Sequence, residues 1–339
     1  MTSAAWQTGP RNAITDVPGI RVGHFTDRKR GTGCTVILCE DSTGAAVDAR
    51  GGAPGTRETD VLNPANVVRK CHAIVFSGGS AFGLASAGGV MRWCAEQGIG
   101  FPTKLRNVPI VSAAVLFDLG LGDPLAFPDE AAGYAAASHA RRGAVAEGTI
   151  GAGTGASVAK LLGPEHAVKG GLGTASAAGP RGLLVGALAV SNAVGSVFDP
   201  ETGDCIAGPR ADQGGFVSLP EAMARRTADM EAMLVETASE SSPTLQNTTL
   251  ICVATNAKLD SHELQRLAIQ AHDGFARVIA PAHTFGDGDV AFAISMGQVE
   301  ARPDDTLTLG MLASRAVEQA LLRSVRLAKS AYGLPNCAE

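Results

Sequence analysis

Six short apolar runs, rich in β-branched residues and bounded by Gly, Asp or Asn, set the main limit on how this chain can fold. Such runs are typical of buried β-strands. They cover residues 35–39, 73–76, 109–116, 183–190, 249–255 and 290–295. Five other segments repeat apolar residues three and four positions apart, as amphipathic helices do, at residues 80–97, 129–142, 220–238, 260–278 and 306–329. The mixed order of these elements favours sheets covered by helices, in an α+β or α/β fold.

Local sequence predicts the starts of two helices and one loop. Ser80 is expected to cap the helix at 80–97, and Asp260 followed by Glu263 predicts the start of the helix at 260–278. Residues 238–247 are rich in Ser, with Pro and Glu, so we expect a domain linker, an exposed loop or a processing site there.

Composition removes several classes of protein. The net charge is −5 and aromatic residues make up 4% of the chain, so no basic stacking surface for a nucleic-acid partner is expected. The chain shows neither a leader pattern nor a run of about 18 apolar residues, which predicts a cytoplasmic protein without membrane contact. The seven cysteines lack CxxC spacing and are expected to be free thiols rather than disulfides or zinc ligands.

Two stretches resemble functional motifs but depart from them. The run GTIGAGTGASVAK, residues 148–160, matches neither G-x-G-x-x-G nor the P-loop pattern. Lys160 at its end is then either a lone functional cation or an exposed surface lysine. Ser80 lies between a strand and a helix, as a hydrolase nucleophile would, but Phe82 replaces the second glycine of G-x-S-x-G. A capping role therefore fits Ser80 better.

Two further places offer polar groups beside predicted strands. The segment HTFGDGDVAFAIS sets His283, Asp287 and Asp289 before a strand. These side chains could bind a metal ion or hold a proton network, but an Asp-Gly turn explains them equally well. Asn192 ends an apolar run and is either a strand-end residue or a buried amide that needs partners.

The dipeptide Asn247-Thr248 stands where the polar stretch meets the run TLICVAT. One interpretation is an ordinary junction between a loop and a strand. The other is self-cleavage, in which the Thr248 hydroxyl attacks the Asn247 carbonyl and the resulting ester is hydrolysed by water. The α-amine of the new N-terminal threonine could then act as general base for its own hydroxyl.

Eight stretches together resemble the DmpA-type aminopeptidases, which include β-peptidyl aminopeptidases and nylon-oligomer hydrolases. They occur in family order over nearly the whole chain. They are ITDVPGIRVGH (14–24), AVDARGGAPGTRETD (46–60), SGGSAFGLASAGGV (77–90), PIVSAAVLFDL (109–119), GAGTGASVAK (151–160), VSNAVG (190–195), NTTLICVATNA (247–257) and HTFGDGDVAFA (283–293).

The resemblance implies an α+β fold, a four-layer αββα sandwich that is similar to N-terminal-nucleophile hydrolases. It implies that residues 1–339 form a single domain, cut by the protein itself into a large chain, 1–247, and a small chain, 248–339. It also implies that the two chains stay associated and assemble into a homo-oligomer, a tetramer of cleaved pairs.

The same resemblance suggests roles for individual residues. Thr248 matches the nucleophile, and Asp287 and Asp289 match the pair that supports it. Lys160 and Asn192 match active-site positions of the nylon hydrolases, where the amide contributes to an oxyanion hole.

Phe117 departs from the family pattern, because the family often has a tyrosine at this position. The phenolic hydrogen bond is missing here, so Phe117 is expected to line the substrate pocket without donating to it.

The expected activity is hydrolysis of short peptides or small amides with a free amino terminus, without a metal or organic cofactor. Two alternatives remain from the residues themselves. One is a metal-dependent hydrolase built on His283, Asp287 and Asp289, with Thr248 structural. The other is a non-catalytic binding protein on the same fold. Phe117 makes this alternative plausible, because the phenolic hydrogen bond of the family tyrosine is missing.

Overall fold

The computed structural model describes residues 7–236 and 247–339. Within these ranges the strands are β1 (Arg21–Asp27), β2 (Thr32–Leu38), β3 (Gly44–Ala49), β4 (Gly55–Arg57), β5 (Ala73–Ser77), β6 (Val111–Val115), β7 (Ser157–Val158), β8 (Val168–Lys169), β9 (Leu172–Ala178), β10 (Leu184–Asn192), β11 (Ser196–Phe198), β12 (Cys205–Ala207), β13 (Thr248–Lys258), β14 (Ile279–Ala280) and β15 (Val290–Glu300). The α-helices are α1 (Ser86–Glu96), α2 (Glu130–Ser138), α3 (Leu219–Glu236), α4 (Ser261–Val278) and α5 (Asp305–Arg326).

Two five-stranded sheets form the centre of the molecule. One has the order β1-β2-β5-β6-β4 and the other β3-β15-β13-β10-β9. In the second sheet β13 pairs in parallel with β15 and antiparallel with β10. The strand that starts at Thr248 is therefore central, between one strand that precedes it in the chain and one that follows.

Alternate residues of the strands pack into different apolar layers, as the two-residue period of a strand requires. In β13, Leu250 and Cys252 face the layer between the two sheets, where they join Phe76 and Phe292. Ile251 and its neighbours on the other face pack against α4 and α5. Helices α1 and α2 cover the outer face of the first sheet in the same way. These layers make the predicted αββα sandwich.

All six predicted strands and all five predicted helical segments are present, with ends shifted by a few residues. The start of α4 is confirmed, because the Asp260 side chain accepts from the N–H groups of His262 and Glu263 while Glu263 reaches back to Asp260. Four strands of the two large sheets were missed: β1, β3, β4 and β9. Short length, polar residues and, in β9, the small residues of LGTASAA hide their pattern.

The prediction that Ser80 caps a helix is wrong. The segment begins with a 3₁₀-helix, Ser80–Ala85, and the Ser80 side chain makes no capping hydrogen bond. The chain turns there through Gly79 in the left-handed conformation (φ 82°), and Asp118 Oδ1 accepts the Gly79 N–H at 2.6 Å. Asp118 therefore takes the role that local sequence suggested for the serine. Nearly all of the predicted loop 238–247 lies outside the described residues.

Candidate active site

Thr248 and Asn192 are brought together by the register of two neighbouring strands. Thr248 is the first residue of β13, Asn192 is the last of β10, and the two are directly opposite each other. Both side chains are buried, with Thr248 5% exposed and Asn192 fully enclosed. The hydroxyl and the amide that the sequence singled out separately therefore share one site, at the ends of two inner strands of the second sheet.

The Asn247 carbonyl oxygen lies among hydrogen-bond donors. It accepts from the Thr248 hydroxyl (Oγ1) at 2.5 Å and from the Gly288 N–H at 2.9 Å. Asn247 also forms a parallel bridge with Asp287, which places the loop at 283–289 beside the Asn247-Thr248 peptide bond. The loop lies close to this peptide bond because β13 and β15 pair in parallel, so that both strands begin at the same end of the sheet.

Asp289 and Asp287 have different surroundings. Asp289 Oδ1 accepts the Thr249 N–H at 2.7 Å, and Oδ2 accepts from His283, at 2.9 Å from Nδ1 and 3.1 Å from the backbone N. Asp287 Oδ2 accepts the Thr284 N–H at 2.7 Å. Burial and the neighbouring Asp289 raise the pKa of Asp287. Its Oδ1 is buried without a hydrogen-bond partner among residues 7–236 and 247–339.

A second backbone segment supports this loop from behind. The N–H groups of Arg50 and Gly51 donate to the Asp289 carbonyl at 3.0 and 3.2 Å, and that of Ala53 donates to the Asp287 carbonyl at 2.8 Å. A Cβ at Gly51 would lie 2.3 Å from the Asp287 carbonyl oxygen, so only glycine allows this approach. The stretch ARGGA is thus a support for the carboxylate loop.

Lys160 and Asn192 form one polar cluster. Lys160 Nζ donates to the Asn192 backbone oxygen at 3.0 Å and to its Oδ1 at 3.1 Å. Ser157 N–H donates to the same Oδ1 at 3.0 Å, and Asn192 Nδ2 donates to the Phe117 carbonyl at 3.0 Å. Burial lowers the pKa of Lys160 to about 7, an effect that nearby Asp287 opposes. Lys160 is therefore not an exposed surface lysine.

Phe117 contacts the site through its backbone. Its carbonyl oxygen is the acceptor for Asn192, whereas the ring is half-buried. That the ring lines a substrate pocket stays a prediction.

Lys169 and Asp118 were missed by the sequence interpretation. Lys169 is fully buried, and its Nζ donates to the carbonyls of Gly153, Ala156 and Gly170 at 3.3, 2.5 and 3.0 Å. The glycine-rich run thus offers carbonyl oxygens to an ammonium group rather than N–H groups to a phosphate. Burial lowers the pKa of Lys169 to about 7.

Asp118 connects two other parts of the chain. Besides Gly79, it accepts from the Thr32 hydroxyl at 2.8 Å, and burial raises its pKa to about 6. Lys169 lies outside the stretches that resemble the family, whereas Asp118 lies within PIVSAAVLFDL (109–119) but was given no role there.

The geometry gives the metal-hydrolase interpretation no support. In the described part of the chain, no three His, Cys, Asp or Glu side chains lie where they could hold a metal ion. Three of the four carboxylate oxygens of Asp287 and Asp289 already accept N–H groups.

No helix within residues 7–236 and 247–339 is long and apolar enough to cross a membrane.

Comparison with known proteins gives a family match over most of the chain. A family model described as Peptidase family S58 matches residues 12–337. An uncharacterized aminopeptidase of Mycobacterium bovis is 42% identical over 96% of this chain and 96% of its own length. A 6-aminohexanoate-oligomer endohydrolase of Kocuria sp. is 29% identical, over 94% of this chain and 87% of its own.

Solved structures confirm the fold class. A β-aminopeptidase of a Burkholderia species superimposes with a TM-score of 0.72 at 23% identity, covering 98% of this chain and 92% of the other. The L-aminopeptidase D-Ala-esterase/amidase of Ochrobactrum anthropi, described as a variant of the Ntn-hydrolase fold, gives 0.70 at 22% identity, covering 96% and 88%.

Proposed function

Because the chain belongs to peptidase family S58 and is a hydrolase of amide bonds, we propose that it cuts itself between Asn247 and Thr248 and then uses Thr248 as its nucleophile. We take its substrates to be short peptides or small amides with a free amino terminus. The aminopeptidase names of some relatives support the free amino terminus, and the name 6-aminohexanoate-oligomer endohydrolase of another supports a small amide as substrate.

The observation that carries the proposal is the arrangement of donors around the Asn247 carbonyl. The Thr248 hydroxyl oxygen attacks the carbonyl carbon, and its proton passes to the Thr248 nitrogen as the peptide bond breaks. The Gly288 N–H, 2.9 Å from the carbonyl oxygen, stabilises the negative charge that develops there. The product is an ester of Asn247 on the Thr248 oxygen, which water hydrolyses to a free Asn247 carboxylate.

Cleavage frees the Thr248 α-amine, which has a reference pKa of about 7.7–8.0 and can accept the proton of its own hydroxyl. The hydroxyl oxygen then attacks the substrate carbonyl, an amine leaves, and water releases the acyl group. We assign the stabilisation of the oxyanion to Lys160 and Asn192, a role supported by the position of Asn192 opposite Thr248 and by its hydrogen bond with the Lys160 amine. The carboxylates of Asp287 and Asp289 orient the new ammonium and the following peptide.

The two chains are expected to remain together after the cut. The small chain, 248–339, supplies β13 and β15, whereas the large chain supplies β3, β9 and β10 of the same sheet. Separation would expose the buried faces of these strands to water. The tetramer of cleaved pairs remains a prediction, and native mass measurement tests it.

Intact-mass analysis tests the proposal directly. We expect the wild-type protein to give two chains, one ending at Asn247 and one beginning at Thr248. Thr248→Ala should remain a single chain because it lacks the hydroxyl, whereas Thr248→Ser, which keeps it, should still be cut. A wild-type protein that stays whole at neutral pH, or a Thr248→Ala variant cut at the same bond, would contradict the proposal.

A further inference from the structure

His283 lies directly behind the carboxylates of the site. Its Nδ1 is 2.9 Å from Asp289 Oδ2, and its backbone N–H donates to the same oxygen at 3.1 Å. The other oxygen of Asp289 accepts the Thr249 N–H at 2.7 Å. An unbroken series of hydrogen bonds therefore leads from the imidazole to the peptide unit that follows the nucleophile.

The imidazole makes this contact with one nitrogen only. Nδ1 must carry a proton, because a carboxylate oxygen that is ionised can only accept. Nε2 is buried and has no hydrogen-bond partner among the described residues. The ring instead meets the rings of His272 and Phe275 of α4, each with centroids 4.7 Å away. A proton relay to Thr248 needs contacts at both nitrogens, so the ring is arranged to hold Asp289 rather than to carry protons.

The backbone of His283 has an uncommon conformation. Its φ is 55°, in the left-handed region that few residues other than glycine occupy, although histidine does so more often than most. A histidine in this conformation has a backbone cost that the hydrogen bond to Asp289 offsets.

We propose that His283 is a positioning residue, which fixes the Asp289 carboxylate and, through the Thr249 N–H, the orientation of Thr248. The proposal rests on the proposed function of Thr248. It assigns His283 no contact with the substrate and no proton transfer.

Two variants that both tolerate a positive φ test the hydrogen bond separately from the backbone. His283→Gly removes the donor, and His283→Asn places an amide N–H close to the position of Nδ1. The measured quantity is the rate at which newly synthesised full-length chain is converted into two fragments, followed by intact mass. We expect His283→Gly to be slower by about 10- to 100-fold, the usual effect of one hydrogen bond to a charged group. His283→Asn should recover most of that loss.

Added imidazole provides a readout that a purely structural role would not change. The His283 side chain is 20% exposed, so a free imidazole can reach the space left in His283→Gly. At about pH 8.5, where both compounds are largely uncharged, imidazole should accelerate cleavage. 1-Methylimidazole has a similar shape but no N–H, and it should not. Equal effects of the two compounds would contradict the proposal.

His272→Gln is the matched control, because it alters the neighbouring buried histidine while its amide can still donate to the Asp48 carbonyl, as His272 Nε2 does at 3.1 Å. It should cleave at the wild-type rate. Unfolding of each variant is compared in the uncut Thr248→Ala background. If His283→Gly does not fold, the test compares His283→Asn with His283→Asp, which have side chains of the same shape. Only the asparagine amide can donate to Asp289. Equal rates of cleavage in these two variants would overturn the proposal.

The outcomes separate this proposal from the proposed function. A wild-type protein that cleaves at the same rate as His283→Gly overturns the role of His283 alone. A wild-type protein that does not cut at Asn247-Thr248 overturns both.

Discussion

The close approach of Gly288 to the nucleophile leads to a quantitative prediction for Gly288→Ala. A Cβ at this position would lie 2.7 Å from the Thr248 hydroxyl oxygen and 3.0 Å from the Ala53 carbonyl oxygen, where ordinary contacts begin at 3.4 Å. Gly288 does not have a positive φ, so alanine adds a steric conflict and no backbone strain. The Thr248 side chain must therefore move by about 0.7 Å if the loop stays in place.

The size of the effect follows from this displacement. The methyl group cannot move away from Thr248, because the Ala53 carbonyl oxygen lies on its other side. Ala53 is itself held in place, since its N–H donates to the Asp287 carbonyl. A misplacement of about 1 Å in a reacting group can lower a rate by about 10²-fold. We expect Gly288→Ala to slow self-cleavage by roughly 10- to 100-fold and to lower the free energy of unfolding by about 1–3 kcal/mol, as overpacking does.

The assay is a time course of fragment formation by intact mass, with urea unfolding measured in an uncut Thr248→Val background, which keeps the shape of the side chain that a methyl group at Gly288 would meet. Gly120→Ala is the matched control, because a Cβ at Gly120 meets nothing within 4 Å and Gly120 also lacks a positive φ. Gly120→Ala should leave cleavage and stability unchanged. Wild-type cleavage kinetics in Gly288→Ala would refute the argument that this glycine sets the position of Thr248.

Two further predictions concern the buried polar groups around the site. Asn192→Ala should lower kcat of the matured enzyme on aminoacyl p-nitroanilides by about 10²–10³-fold, because an oxyanion donor is lost. Asn256→Ala, which removes another buried amide near the other end of β13, should lower stability without this loss. Lys169 has a pKa of about 7 in the folded protein, below its ordinary value of 10.5. Between these two pH values this side chain binds more protons in the unfolded chain than in the folded one. Its contribution to the free energy of unfolding therefore rises with pH. Lys169→Met should reduce that rise, by at most about 1.4 kcal/mol per pH unit in urea titrations, and identical slopes in both proteins would contradict it.

Local chemistry was enough to predict the elements that frame the site. The apolar run after Thr248 is a central strand, and the Asp260 and Glu263 side chains form the cap expected of them. Both depend on a few consecutive residues, whose period and capping groups act within one element. The stretches that resemble the family also indicated Thr248, Asn192 and the two aspartates before any contact among them was known.

The contacts themselves depend on strand order and register. Asn192 faces Thr248 because β10 and β13 pair antiparallel in this register, and a shift by one residue would turn each side chain to the opposite face. The carboxylate loop lies beside Thr248 because β13 and β15 are parallel neighbours.

The sequence by itself determined the layered α+β class, the strand that begins at Thr248 and the short list of polar residues that could act with it. Only the tertiary structure decided that Lys169 is buried against carbonyls of the glycine-rich run, that Asp118 holds the turn at Gly79, and that His283 bonds Asp289. Lys169 lies in no stretch that the sequence marks out, and although Asp118 and His283 lie in stretches that resemble the family, those stretches do not show which groups the two side chains contact. The protonation of Lys169 and Asp118 also depends on burial by segments distant in the chain, which no local pattern encodes.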